Sequence, residues 1–266
     1  MEQNKQDTLW SAIRKEAKKE AEEEPLLASF LHATILNHIT LENALSFILA
    51  NKLGSQTLLP ITLMELISSA YEQDPQVSLA LRADLQAIKE RDPACRNLCT
   101  PILHFKGYQA LQSYRVAHWL WNQNRKALAL TLQSRISEVF AVDIHPAAKI
   151  GQGILMDHAT GVVIGETSSI GDNVSILHNV TLGGTGKEKG NRHPKIGNGV
   201  LISVGAIILG NVEIGDGAKI GACSVVLNNI PPHCTAVGVP ARVTGRPNCQ
   251  NPALEMDHKV NSSSRD

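Results

Sequence analysis

Residues 195–226 read KIGNGVLISVGAIILGNVEIGDGAKIGACSVV, and an aliphatic side chain returns at every sixth position: Ile196, Ile202, Ile208, Ile214, Ile220 and Val226. Counting back, the same step gives Leu182, Ile176, Ile170 and Ile164, then, beyond a break, Met156, Ile150 and Ile144. Glycine often follows, as in Ile150-Gly151, Ile170-Gly171, Ile196-Gly197 and Ile214-Gly215. A period of six belongs to a parallel β-helix, in which each hexapeptide sends one aliphatic side chain to the axis of a prism and uses the rest to turn a corner or face water. Neighbouring rungs then stack about 4.8 Å apart, and glycine suits corners that need positive φ. A sandwich of half-buried strands would show period two instead.

Two irregularities interrupt the count. From Met156 to Ile164 the interval is eight, a two-residue slip across Val162-Val163; from Leu182 to Ile196 it is fourteen, six plus an eight-residue insertion. Insertions in a solenoid become loops on its outside, and such loops carry function. The first break holds Asp157-His158. The second, residues 183–195, is a polar, glycine-rich arm with Arg192 and His193 at its far end. The chemistry is expected at these two places.

With 266 residues and 43% hydrophobic content the chain has room for two domains. Lys+Arg and Asp+Glu balance at 25 each, which gives no support to nucleic-acid binding. The charge run from Lys15 to Glu24 alternates at helical spacing and reads as a solvated helix face. The start lacks a signal peptide's apolar stretch, and no segment reaches the roughly 18 apolar residues of a membrane span, so a soluble cytoplasmic protein is expected. Five cysteines without a CxxC pair read as free thiols, and no metal site is expected.

Residues 1–140 read as helical. Leu79, Leu81, Leu85 and Ile88 recur at helical spacing, Asp74-Pro75 fits an N-cap with proline at the first position, and Asp92-Pro93 reads as a turn. Tyr114, Trp119 and Trp121 are expected to pack between helices. The predicted organisation is an α+β chain: an all-helical domain over 1–140, a left-handed parallel β-helix of hexapeptide repeats over 141–243 with the protruding loop 183–195, and a flexible polar tail over 244–266. The helical domain would cap the open N-terminal rung.

Several long motifs, in order, resemble the serine O-acetyltransferase family of the hexapeptide acyltransferase superfamily: Arg91-Asp92-Pro93-Ala94, the stretch from Asp143 to Gly151, Met156-Asp157-His158-Ala159-Thr160-Gly161, the stretch from Val180 to Gly186, Arg192-His193-Pro194-Lys195-Ile196, and Gly238-Val239-Pro240-Ala241-Arg242. The resemblance implies the left-handed sense of the β-helix, acetyl-CoA as cosubstrate, L-serine as acceptor and L-cysteine as a feedback inhibitor. It implies His158 as the base that takes the hydroxyl proton, a task for which an imidazole is suited, with Asp143 orienting it. On a coil of about eighteen residues the two were expected to approach across adjacent rungs.

The same family pattern sets Asp92 and Asp157 against the serine ammonium and Arg192 against its carboxylate, with His193 contacting substrate or the developing oxyanion. It assigns acetyl-CoA to a groove with Gly184, Thr185, Gly205, Lys219 and Ala222. Val204 and Cys223 depart from the family's usual alanine and glycine there. His178, twenty residues after His158, should point the same way and is a rival base, while His145, His258 and the other histidines read as structural. The resemblance further implies homotrimers pairing into a hexamer, sites formed between subunits, and no acyl-enzyme. Family tails end in isoleucine when they bind O-acetylserine sulfhydrylase; this chain ends Ser264-Arg265-Asp266, so either the chain is shortened or that partnership is expected to be weak. The rival readings are an acetyltransferase for a sugar or other hydroxyl acceptor, and a β-helix scaffold without chemistry.

Overall fold

The computed structural model describes residues 7–186 and 189–259. The expectations about Ser264-Arg265-Asp266 and about Lys187 and Glu188 of the arm fall outside them. Among the described residues eight α-helices precede the strands: α1 (Thr8–Glu23), the short α2 (Ala28–Leu31), α3 (Leu41–Leu53), α4 (Pro60–Gln73), α5 (Pro75–Arg91), α6 (Cys99–His104), α7 (Lys106–Asn122) and α8 (Lys126–Phe140). The reading of 74–92 holds in detail. The Asp74 carboxylate accepts the Gln76 N–H at 3.0 Å, Pro75 opens α5, and Asp92 leaves the helical region at ψ 108 as the residue before a proline must.

The charged face of α1 is less solvated than expected. Lys19 and Glu23 form an exposed pair at 3.5 Å, but Glu16 accepts the backbone N–H of Leu98 at 2.8 Å and Glu20 accepts from Asn97 at 2.7 Å. Two carboxylates therefore satisfy donors at the start of α6, a need that helix termini always carry. Periodicity along α1 alone could not reveal that use.

From Val142 the chain winds into a prism with three parallel faces. One sheet has five strands, starting at Val142–Ile144, one has four, starting at Lys149–Ile150, and the last has six, starting at Leu155–Met156 and closed by Ala241–Gly245. Register shows the coil lengths. Val142 lies over Val162, twenty residues on; Val163 over Thr181, eighteen; Thr181 over Ile207, twenty-six; and Ile207 over Val225, eighteen. The slip and the insertion are thus absorbed inside single turns, while the aliphatic column stays in line. Ile144, Ile164, Leu182, Ile208 and Val226 are all buried on one face.

The helices and the prism share one core. Gly107 opens α7 directly against the turn after Met156: a Cβ there would lie 2.2 Å from the Met156 carbonyl oxygen. Beside it, fully buried Asp84 accepts from Gln112 at 2.8 Å, from Arg115 Nε at 2.8 Å and from the Ile154 N–H at 2.9 Å. Arg115 in turn donates to the Gly151 carbonyl at 2.7 Å. A carboxylate of α5 and a guanidinium of α7 thereby bind the first coil.

The expectation of a free tail after residue 243 does not describe the structure up to residue 259. Ala241–Gly245 runs antiparallel to Thr235–Gly238, and a short helix, α9 (Pro252–Glu255), packs on α5 and the prism with Ala253 fully buried. Its carbonyl accepts from Ser175 Oγ at 2.8 Å. The segment is too polar to fold alone, but it needs only a few apolar residues to dock on a surface already formed.

No helix among the described residues is long and apolar enough to cross a membrane. The Asp84–Arg115 bridge gives a stability prediction: Arg115→Met leaves a fully buried carboxylate without its ionic partner, so denaturant unfolding should show a loss of about 3–5 kcal/mol. A loss under about 1 kcal/mol would contradict a binding role for the bridge.

Candidate active site

The slip, expected across Val162-Val163, falls instead at a sharp corner over 157–161, because Val162–Ile164 is a regular strand in register with Val142–Ile144. His158 and Ala159 both take positive φ, 56° and 59°, and the turn closes through Thr160 N–H to the His158 carbonyl at 2.9 Å. The corner throws the His158 ring outward, its side chain 74% exposed, with Nε2 3.7 Å from Asp157 Oδ1. The ring meets His178 edge-on at 5.7 Å, so the two imidazoles do share a direction on adjoining rungs.

His158 and Asp157 line a cavity of about 560 Å³ together with Asp92, Lys106 and Gly107. Asp92 is set by its own turn, accepting the Ala94 N–H at 2.8 Å. Its neighbour Arg91 is buried and donates to Asn173 Oδ1 at 3.1 Å and Ser175 Oγ at 3.3 Å, which ties the end of α5 to the prism. Met256 and His258 of the C-terminal segment close another side of the cavity. His258, expected to be structural, bonds Ser203 Oγ through Nδ1 at 3.2 Å, and burial pushes its pKa down.

A second cluster forms at the base of the arm. Arg192 pairs with Glu166 at 2.6 Å, and this bond holds the Glu166 carboxyl below its usual range. His193 is buried against Gly165, where a Cβ would come within 2.1 Å of the ring. Its pKa is lowered first by burial and then by the Arg192 charge. Thr167 bonds both residues: its Oγ1 accepts the N–H of Arg192 at 3.0 Å and of His193 at 3.1 Å. Gly184 lies beside the same imidazole, a Cβ there being 3.7 Å from His193 Nε2.

Asp92, Asp157 and His158 therefore meet in one cavity, and Arg192, His193 and Gly184 meet at another place, but the two groups do not meet within the chain. Asp143 does not bond His158 either. The first coil has twenty residues, so Asp143 lies over Val163, and its carboxylate accepts from Gln133 of α8 at 2.7 Å. The expected approach across adjacent rungs assumed a coil two residues shorter.

The groove residues also separate. Thr185 packs at Gly210, and the N–H of Gly205 (φ 68°) bonds the His178 carbonyl at 3.0 Å at a corner whose next rung is Cys223, the residue after Ala222. Lys219 is fully buried under the C-terminal segment, 3.5 Å from Asp257 and bonded to the Lys259 carbonyl. Cys223 sits at φ 55°, a conformation that glycine adopts without strain; this accounts for the usual glycine there. Glu166 and Thr167 escaped the sequence reading, although they sit one rung above the arm's end. Nothing local marks His258.

Comparisons with known proteins agree with this architecture. A sequence profile described as "Serine acetyltransferase, N-terminal" matches residues 9–113, and one for "Bacterial transferase hexapeptide (six repeats)" matches residues 193–228. A serine acetyltransferase of Escherichia coli (strain K12) is 55% identical over 255 residues, 96% of this chain and 93% of its own length. A solved serine acetyltransferase in complex with cysteine superposes with a TM-score of 0.93 at 56% identity, covering 95% of this chain and 98% of that one. Serine acetyltransferase from Brucella abortus strain S19, in complex with coenzyme A, gives 0.90 at 49% identity, covering 92% and 98%. A helical domain running into a hexapeptide prism, with relatives alike over nearly their whole length, leaves one conclusion: the chain belongs to the serine acetyltransferase family.

Proposed function

We propose that the chain transfers the acetyl group of acetyl-CoA to the hydroxyl of L-serine, giving O-acetyl-L-serine and CoA, at a site shared by two copies of itself. The observation that carries this reading is the division of the candidate residues: a base and two carboxylates in one cavity, and a guanidinium and an imidazole at the arm's base on another part of the surface. A zwitterionic acceptor needs both sets. Packing the arm of one copy against the cavity of the next supplies them together and brings Asp143 to His158 across the same seam. Trimers of this kind would pair through their helical domains into a hexamer.

In this scheme Asp92 and Asp157 hold the serine ammonium, and Arg192 holds its carboxylate by a bidentate pair. His158 takes the hydroxyl proton as the oxygen attacks the thioester carbonyl carbon. His193 donates a hydrogen bond to the carbonyl oxygen as it gains negative charge. Collapse of the tetrahedral intermediate breaks the carbon–sulfur bond, and the His158 imidazolium returns its proton to the departing thiolate. Gly184, Thr185, Gly205 and Ala222 would line the path of the pantetheine arm, and Lys219 would reach it once released from Asp257.

CoA release measured with L-serine and a panel of sugars should show turnover with serine alone, and His158→Ala should lose about 100-fold or more in kcat; comparable turnover of a sugar would favour the other-acceptor reading. Because cysteine carries the same ammonium and carboxylate, it should inhibit in competition with serine, and inhibition that saturating serine left intact would contradict the shared subsite. Co-expressing His158→Ala with Asp143→Asn chains should restore activity at about a quarter of the sites if each site draws these two residues from different copies. No recovery would place both residues of a site in one chain.

A further inference from the structure

The side chain and backbone of Thr167 together leave His193 one arrangement of its ring proton. Thr167 Oγ1 accepts two backbone N–H groups, from Arg192 at 3.0 Å and His193 at 3.1 Å. Its own hydroxyl proton is then free for His193 Nδ1, 2.8 Å away. The backbone N–H of Thr167 also points at Nδ1, at 3.1 Å. A backbone N–H can only donate, so Nδ1 must offer its lone pair, and the proton of the neutral ring sits on Nε2. Lys195 anchors the same stretch by donating to the Thr167 carbonyl. The opposite edge of the ring, carrying Nε2, lies beside Gly184 at the arm's base.

We propose that Thr167 is a positioning residue for the acyl transfer, one that fixes His193 as an Nε2–H hydrogen-bond donor and so denies it the role of base. The inference rests on the reading of His193 as the donor to the carbonyl oxygen. It divides the labour between two imidazoles of the site: the exposed His158 ring, which makes no hydrogen bond among the described residues, is free to take a proton, whereas the buried His193 has its acceptor nitrogen already committed. A donor fixed before the reaction stabilises charge without reorganising as that charge develops. It also acts chiefly in the transition state, so losing it should lower kcat and leave substrate binding nearly alone.

Thr167→Val keeps the side-chain shape but removes the hydroxyl, which makes the shorter of the two bonds to Nδ1, and leaves the ring held by the 3.1 Å backbone bond alone. In the full oligomer it should reduce kcat by about tenfold, with KM for serine and for acetyl-CoA within about twofold of wild type, and Thr167→Ser should restore kcat. In a double-mutant cycle, Thr167→Val should cost nothing further in a His193→Ala background, because the group it positions is gone. A residue that merely holds the arm would also displace Arg192, so a serine KM rising in step with the loss of kcat would overturn the proposal. Equal cost in both backgrounds would overturn it as well. The single variant His193→Ala separates the two levels: unchanged kcat there defeats the donor reading itself, whereas a fall in kcat with His193→Ala but none with Thr167→Val defeats only the assignment to Thr167. Should Thr167→Val fail to assemble, ring-nitrogen chemical shifts of His193 in the wild-type protein decide: a protonated Nδ1 contradicts the proposal, and a bare Nδ1 supports it.

Discussion

Six residues make one edge of the prism, and one edge buries little more than a pair of side chains, such as Val174 with Ile176 or Ala218 with Ile220. No edge can therefore bury enough to stand alone, since fully burying an aliphatic side chain contributes about 1.5–3 kcal/mol, while ordering each residue's backbone costs about 1–2 kcal/mol. Stability comes from vertical contact between like positions of successive coils, and that requirement fixes the register. Ile170 must lie under Ile150 and over Ile196, as it does. Because the column tolerates no shift, any extra residue must leave the prism at a corner. The two places where the count fails are for that reason the two places where polar side chains gather.

The helical domain depends on the same surface. Its last helix ends at Phe140, and Ala141, in the left-handed region at φ 55°, turns the chain into the first strand. The end of α5 is held from below by Arg91 on Asn173 and Ser175, and its middle by Asp84 on the Ile154 N–H. Asp92, one residue past that helix, thus takes its position from the prism although it belongs to another domain. Gly107 brings α7 against the other side of the same corner. The cavity around His158 is built by two helix ends and a strand corner, none of which could form it separately.

The hexapeptide count made the prism legible, because each coil obeys a constraint local in sequence. The cap and first proline of α5 were legible for the same reason. What could not be read were contacts made between distant segments: Glu16 and Glu20 serving α6, and Pro252–Glu255 docking on α5. The expected approach of Asp143 to His158 within one chain is instructive. The two-residue slip was visible in the sequence, yet the coil was still counted as eighteen, and the difference moves Asp143 onto a different rung position, facing Gln133. His178 succeeded where Asp143 failed because its spacing of twenty included the slip.

The separation of the two residue groups has an electrostatic logic. A pocket for a zwitterion must keep a guanidinium and carboxylates a few ångströms apart without letting them pair with each other, since a direct pair would have to be broken by every substrate molecule. Here Arg192 is held by Glu166, which leaves the rest of its fork of donors for a second carboxylate. Asp92 is held by its own turn and the prism, and Asp157 by the corner that carries His158. Each charge is fixed on the chain that bears it before any seam closes. On the proposed assignment, assembly would bring these opposite charges to a distance set by rigid strand corners rather than by their mutual attraction.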